Sequence, residues 1–194
     1  LDGSKLADAI DQANTATDDT SVVFTITAVS EIQGSEANFT ALLTDNDNNQ
    51  INIVNHDLNV NSGTISVDNA NLLDAATGGD VTGSIDTTET VDELKTLTGT
   101  HAYTIVIAAG DAETSTADDL NTINGKTSVA INAAAITDLA SDNITNIQTL
   151  LTAGNDTDQF TAASFGSLET AIVSDTTLDG SKLADAIDQA NTAT

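Results

Sequence analysis

Apolar residues in this chain switch between two spacings. At seven places they alternate with polar ones, the period of a half-buried strand: 22–29, 51–54, 64–67, 81–86, 103–108, 128–133 and 170–174. Between these lie stretches with apolar residues at i, i+3 and i+4, the period of an amphipathic helix: 4–13, 35–43, 69–76, 90–97, 117–123, 142–151, 162–168 and 181–190. Ser35 ahead of Glu36, Thr90 ahead of Val91-Asp92-Glu93, and Asp179 or Ser181 before the last stretch are helix-starting residues. Gly99, Gly125 and Gly154 stand where left-handed helix ends belong. Strand and helix alternate about seven times in units of roughly 25 residues, which favours parallel strands with crossover helices. A unit this short does not bury its own apolar face. The expected fold is therefore α/β: a solenoid of about seven short strand–helix units with a parallel sheet. A pure β-solenoid is the alternative, because the helices are short and rich in Thr, a weak helix former. Tandem small α+β domains come third.

Repetition is present at two scales. Residues 1–17, LDGSKLADAIDQANTAT, recur unchanged as residues 178–194, a period of 178 − 1 = 177 residues. The expected organisation is one full long repeat over 1–177, continuous as a solenoid array, with 178–194 opening the next repeat. No initiator Met opens the chain, in keeping with a window cut from a tandem array. Each 17-residue copy then lacks a different neighbour, so the two are expected to differ in exposure. Within the period, residues 20–47 resemble residues 127–156: Val22 matches Val129, Phe24 matches Ile131, Phe39 matches Ile147, and Leu42-Leu43 matches Leu150-Leu151. The inward positions are expected to include Val22, Phe24, Ile26, Leu42, Ile53, Ile65, Val81, Ile85, Leu94, Leu97, Ile105, Ile107, Val129, Ile131, Ile147, Leu150 and Ile172.

Composition narrows the setting. With four Phe, one Tyr and no Trp or Met, the core must be built from Ile, Val, Leu and Ala, which pack well in thin regular layers. Thirty acidic residues against four Lys leave a net charge of −26. Such a surface repels phosphate backbones and anionic headgroups, so nucleic acid is not an expected partner. Divalent cations or a salty medium are. There is no Cys, hence no disulfide or thiolate metal site. No apolar run reaches the roughly 18 residues of a membrane-spanning helix, so no membrane insertion is expected. No Pro and no Gly/Ser-rich stretch marks a linker.

The phrases ADDLNTINGKTSVAINAAAITDL (117–139) and ELKTLTGT (93–100) resemble the degenerate repeats of giant secreted or cell-surface proteins of bacteria, marine cyanobacteria that swim without flagella among them. The resemblance covers residues 64–154. It implies export, an extracellular or cell-surface location, a structural or adhesive role, and calcium dependence. It carries over no catalytic residues.

Candidate chemistry is sparse. Asp45, Asp47 and Asn49 stand at alternate positions, as in the opening half of a calcium loop, but the Gly and bidentate Glu of an EF-hand do not follow. Asp156 and Asp158 occupy the equivalent joint of the second internal copy. These five residues are the candidate Ca²⁺ ligands, with a solvated Asx-rich turn as the other reading. Asp18-Asp19 and Asp118-Asp119 read as helix-end or surface acids. His56 and His101, both at strand edges, read as hydrogen-bonded edge residues. No nucleophile elbow, phosphate loop or distinct carboxylate pair is present, so the chain is read as a non-enzyme without a catalytic or cofactor site beyond Ca²⁺. The leading expectation is a structural, non-catalytic extension segment of a giant extracellular repeat protein: an adhesin stalk, surface fibre or motility-related coat. A calcium- or glycan-binding adhesion module is one rival. A self-assembling filament subunit joined through the duplicated 17 residues is another. The partners are neighbouring repeats of the same chain, or identical subunits.

Overall fold

The structure is a computed structural model describing residues 1–17, 22–27, 29–111 and 113–193. Asp18, Asp19, residues 20–21 at the opening of the first internal copy, and residue 28 of the first predicted strand lie outside the described residues. The chain is mixed α/β, with seven α-helices and short parallel strands among the described residues. That number of helices sets aside a pure β-solenoid. Two compact units are present, Leu1–Ser84 and Ile85–Thr194.

The first unit runs α1 (Gly3–Thr17), β1 (Glu31–Ser35), α2 (Glu36–Asp47), β2 (Asp57–Ser62), α3 (Val67–Ala76), β3 (Val81–Ser84). Its strands lie side by side in that order, all parallel; Ile32 stands opposite Leu58, and Leu58 opposite Val81. All three side chains are fully buried, so one apolar row crosses the sheet. Beside β1, Asp2 adds a parallel bridge to Gln33. After each helix the chain returns along a second pairing line. Phe24 bridges Ile51 there, and the Gly78 N–H donates to the Val54 carbonyl at 2.6 Å. Helix α1 packs on α2, and α2 on α3. Phe39, Leu42, Ala70 and Leu73 point inward from the helices.

The second unit repeats the plan: α4 (Val91–Leu94), β4 (Ala102–Thr104), a 3₁₀ turn (Ala109–Asp111), α5 (Ala117–Asn124), β5 (Asp138–Asp142), α6 (Ile144–Gly154), β6 (Thr170–Val173) and α7 (Gly180–Ala193). Parallel bridges join His101 to Thr127, Val106 to Asn132, and Ile131 to Phe160, while β5 pairs with β6. Each helix from α4 to α7 packs on its successor. Tyr103, Ile105, Ile107, Ile131, Ile136, Phe160 and Phe165 fill the interior. The two internal copies seen in the sequence occupy matching places. Phe39 and Ile147 are both buried on a helix, and Phe24 and Ile131 both bridge forward to the residue run after that helix.

Several expectations need correction. Residues 64–67 are not a strand: the Ile65 N–H donates to Ser84 O, and α3 already starts at Val67. Predicted strands 22–29 and 51–54 reduce to single bridges and 128–133 to two, at Ile131 and Asn132, and the regular strands β1, β2 and β5 lie just ahead of their helices instead. The helix predicted at 162–168 is absent. Phe165 adopts a left-handed φ of 60° there, which breaks a helix, and its ring lies over Gly154. Gly99 is left-handed (φ 67°), but Gly125 caps α5 in the right-handed region and Gly154 is the last residue of α6. Gly154 is required by close approach: a Cβ on it would sit 2.8 Å from the Phe165 ring. Of the predicted inward positions, Val22, Phe24, Ile26 and Val129 are half-buried and Ile172 is 53% exposed, while the others are buried.

Candidate functional site

The candidate calcium residues do not converge. Asp45 and Asp47 lie in the last turn of α2, and at 3.6 residues per turn two positions apart face opposite sides. Asp45 is buried, and burial, with Asp11 adding like charge, pushes its carboxyl above the usual carboxylate range. Asp47 is exposed. Asn49 is the left-handed residue that ends the helix, with φ 57°. Its N–H donates to Asn46 O at 3.0 Å and that of Gln50 to Asp45 O at 2.9 Å, the paired bonds of a Schellman end. In the second copy, Asp156 accepts from the Asp158 N–H (3.0 Å) and Gln159 Nε2 (2.9 Å), closing an Asx turn; Asp158 is exposed. Its bonds to Gln159 and to the Asp158 backbone hold the Asp156 carboxyl below its usual value. Among the described residues no group of three or more His, Asp or Glu is placed to hold a metal ion. In the first unit the His56 imidazole is not hydrogen-bonded through its buried Nδ1 among the described residues, though its carbonyl accepts from Thr77 Oγ1 at 2.6 Å; in the second, His101 stands edge-on to Tyr103 with ring centres 5.6 Å apart.

What the acids do instead is visible at the helix starts. Each N-cap follows the sequence logic: Ser35, Ser66, Thr90, Thr116 and Asn143 accept from the backbone N–H three residues on. At four of these starts, those of α3 to α6, a carboxylate from an adjacent strand–helix layer then reaches the first turn. Glu36 Oε1 accepts from Ser66 N (2.9 Å), Ser66 Oγ (2.8 Å) and Asn69 Nδ2 (2.7 Å) at the start of α3. Asp111 accepts from Val91 N at 3.3 Å, Asp142 from Asp118 N at 2.7 Å, and Asp175 from Ile144 N at 2.6 Å. These clasps place negative charge at helix N-termini, where unpaired N–H groups and the helix dipole favour it. Lys95 adds an ion pair with Asp119 at 2.6 Å, extended to Asp92 at 2.8 Å. Hydrogen bonds to Asp119 and then Asp92 raise its pKa above the ordinary lysine value.

Sequence reasoning missed the clasps. Their signal was an acid beside each helix start, one layer spacing from the next: Asp118 and Asp142 are 24 residues apart, Ile144 and Asp175 are 31. A second set ties the return line. Thr77 Oγ1 donates to Val54 O (3.2 Å) and His56 O, and Thr127 Oγ1 donates to Tyr103 O at 2.6 Å. Each hydroxyl also accepts the N–H two residues on, from Gly79 and Val129.

The duplicated 17 residues differ in burial, as expected from the sequence. Locally they are alike: Asp2 accepts from Ser4 N and Oγ, and Asp179 from Ser181 N and Oγ. In tertiary setting they part. Ile10 is 0% exposed, whereas its counterpart Ile187 is 52% exposed. A groove of about 450 Å³ between α2 and α3 has a mixed lining, with Leu43, Val54 and Leu72 beside Thr44, Asp47 and Asn69. No protein-family model, curated protein or solved structure matches the chain.

Proposed function

We propose that this chain is a structural, non-catalytic extension segment of a giant extracellular or cell-surface repeat protein, such as an adhesin stalk, a surface fibre or a motility-related coat. In this reading the strand–helix layers form a solenoid of about seven units, and the partners of each repeat are its neighbours. The observation that carries it is the duplicated segment: one 17-residue sequence is docked through one face at the start of the chain and through another near its end. A segment that must sit between two layers needs both faces, and a closed globular domain needs only one. The cross-layer clasps support the same reading, because they join layers to each other.

The test is to compare chains of one, two and three 177-residue periods by small-angle X-ray scattering and thermal melting. The maximum dimension is expected to grow by a constant increment per period, and the melting temperature to rise from one period to two. A nearly constant dimension, or melting temperatures independent of period number, refutes the extension role.

A further inference from the structure

We propose that the outer face of α7 is a docking surface for a second copy of this chain, and that it receives that copy's β1–α2 layer by α7 taking the place of α1. The inference does not depend on the extension role, since it holds equally for a free subunit.

Helix α1 is covered through Gly3, Leu6, Ala7 and Ile10, spaced i, i+3, i+4 and i+7 on one face, all buried. The cover is the following layer. A Cβ on Gly3 would lie 3.2 Å from Gln33 O and 3.2 Å from Leu42 Cδ1. The Gln33 N–H donates to Leu1 O at 2.7 Å, and Leu1 N donates to Glu31 O at 2.9 Å. The counterparts on α7 are Gly180, Leu183, Ala184 and Ile187. Gly180 has nothing within 4 Å of a built Cβ, Leu183 is half-buried, Ala184 is exposed and Ile187 is 52% exposed.

Helix α7 docks through its other side. Ala186 is buried against α6, Lys182 Nζ donates to Thr145 Oγ1 at 2.9 Å, and Gln189 Oε1 accepts from Thr152 Oγ1 at 2.8 Å. The matching residues of α1, Lys5 and Gln12, are exposed. One helical sequence therefore carries two docking faces that share a margin at Leu183 and Ala9, both half-buried, and each copy uses mainly one. Because the chemistry of α7's open face is identical to that of α1's covered face, the surface that fits it is already known: residues Glu31–Asp47 of another copy.

In the native chain this joint is latent. Exchanging α1 for α7 swaps like contacts for like, and α1 is tethered at an effective concentration in the millimolar range. Weakening α1 alone uncovers the layer, and association then becomes head-to-tail and open-ended. The test is sedimentation velocity on the full chain at tens of micromolar, in about 0.5 M NaCl to screen its charge. Native chain and Ile187→Asp are expected to stay at the 19.8 kDa monomer mass. Ile10→Asp is expected to shift to two or more chain masses, and the double variant Ile10→Asp/Ile187→Asp to return to monomer. Folded, monomeric Ile10→Asp, or association that persists in the double variant, overturns the proposal. If Ile10→Asp loses its circular dichroism, the core is left native and cysteines are placed at Gln33 and Asp179, the counterpart of the Asp2 that bridges Gln33. Oxidation of this otherwise cysteine-free chain is expected to yield a covalent ladder beyond the dimer. No species larger than the dimer given by Asp179→Cys alone overturns it.

Discussion

Glu36→Ala tests whether the acids of this chain are built into its stacking. One oxygen of Glu36 takes three donors at 2.7–2.9 Å, two from Ser66 and one from Asn69, at the start of the next helix. Hydrogen bonds to an ionised group contribute about 1.5–3 kcal/mol each, but three donors on one oxygen are not additive. The site is part-buried, so water recovers the Ser66 hydroxyl and Asn69 amide more readily than the Ser66 N–H. A net loss of about 2–3 kcal/mol follows, including about 0.5 kcal/mol from the α3 dipole. Glu36→Gln keeps an acceptor without the charge and should lose about 1 kcal/mol. Glu113, an exposed acid, is the control, and its alanine variant should stay within about 0.5 kcal/mol of native. Urea unfolding followed by circular dichroism reads all three. A double-mutant cycle with Ser66→Ala should show coupling of about 1 kcal/mol or more. If Glu36→Ala costs no more than Glu113→Ala, or the cycle shows no coupling, the clasp is a surface contact that water replaces at no loss.

Gly79→Ala should destabilise by about 3 kcal/mol or more, since its Cβ would lie 2.6 Å from the His56 carbonyl oxygen, a backbone atom with no room to move. Gly110→Ala, with nothing within 4 Å, should be neutral or slightly stabilising in the same denaturation assay. Ile131→Asp, at a fully buried position, should abolish the cooperative melt of the second unit. Asp45 and Asp119 should respond to pH with opposite signs. Asp45 is raised above 3.8 in the fold by burial and by Asp11, so its ionisation costs stability; Asp45→Asn should raise the melting temperature at pH 7 and have little effect at pH 3. For Asp119 burial opposes ionisation, but Lys95 and the Thr116 N–H and hydroxyl outweigh it and hold the carboxyl below 3.8. Its contribution is present above about pH 4 and fades as pH falls through the lowered value, so Asp119→Asn should destabilise at pH 7 and progressively less in acid. Calcium at millimolar concentration should give no saturable heat in calorimetry, since Asp45 faces inward and Asp47 outward.

Helices were legible in this chain because their signals are local. Ser35, Thr90 and Asp179 announce starts that side-chain oxygens confirm by accepting backbone N–H groups. Strands were legible only in part: 81–86, 103–108 and 170–174 overlap β3, β4 and β6, whereas β1, β2 and β5 were missed because their stability is borrowed. EIQGS, DLNVNS and DLASD each place only one or two side chains in the core (Ile32; Leu58 and Val60; Leu139), and their Asn, Asp and Ser residues read as turns. What makes them strands is a parallel neighbour, which no local window contains. The run at 22–27 shows the converse: its alternation is right, with 22, 24 and 26 turned inward, yet only Phe24 pairs. The exposed Ile172 has a related cause, since β6 pairs with β5 and no further strand joins it among the described residues. At Asp45, Asp47 and Asn49 the sequence left loop or helix open: i, i+2, i+4 spacing converges in a loop and diverges in a helix, and α2 runs on through Asp47.

The same geometry bears on how a chain with 30 acids and four lysines stacks at all. Pairing each acid with a base is not available to it. At the helix starts the counter-charge is the backbone instead: an N-terminus presents unpaired N–H groups and roughly half a positive charge. Glu36, Asp111, Asp142 and Asp175 each spend their charge there, on a helix of an adjacent layer, and Asp2 and Asp179 on their own. This solution scales with length. Every added strand–helix layer brings one more helix start and needs one more acid, whereas a lysine-paired design needs a matched base each time. It also separates two responses to salt. Exposed acids repel over a Debye length of about 8 Å at 0.15 M and are relieved by screening, while the clasps act at hydrogen-bond distance and lose little. Stability should therefore rise with NaCl from low ionic strength, and the cost of Glu36→Ala should stay nearly constant across that range. A cost that vanishes in high salt would mean the carboxylate acts as a diffuse charge and the layers are held by apolar burial alone.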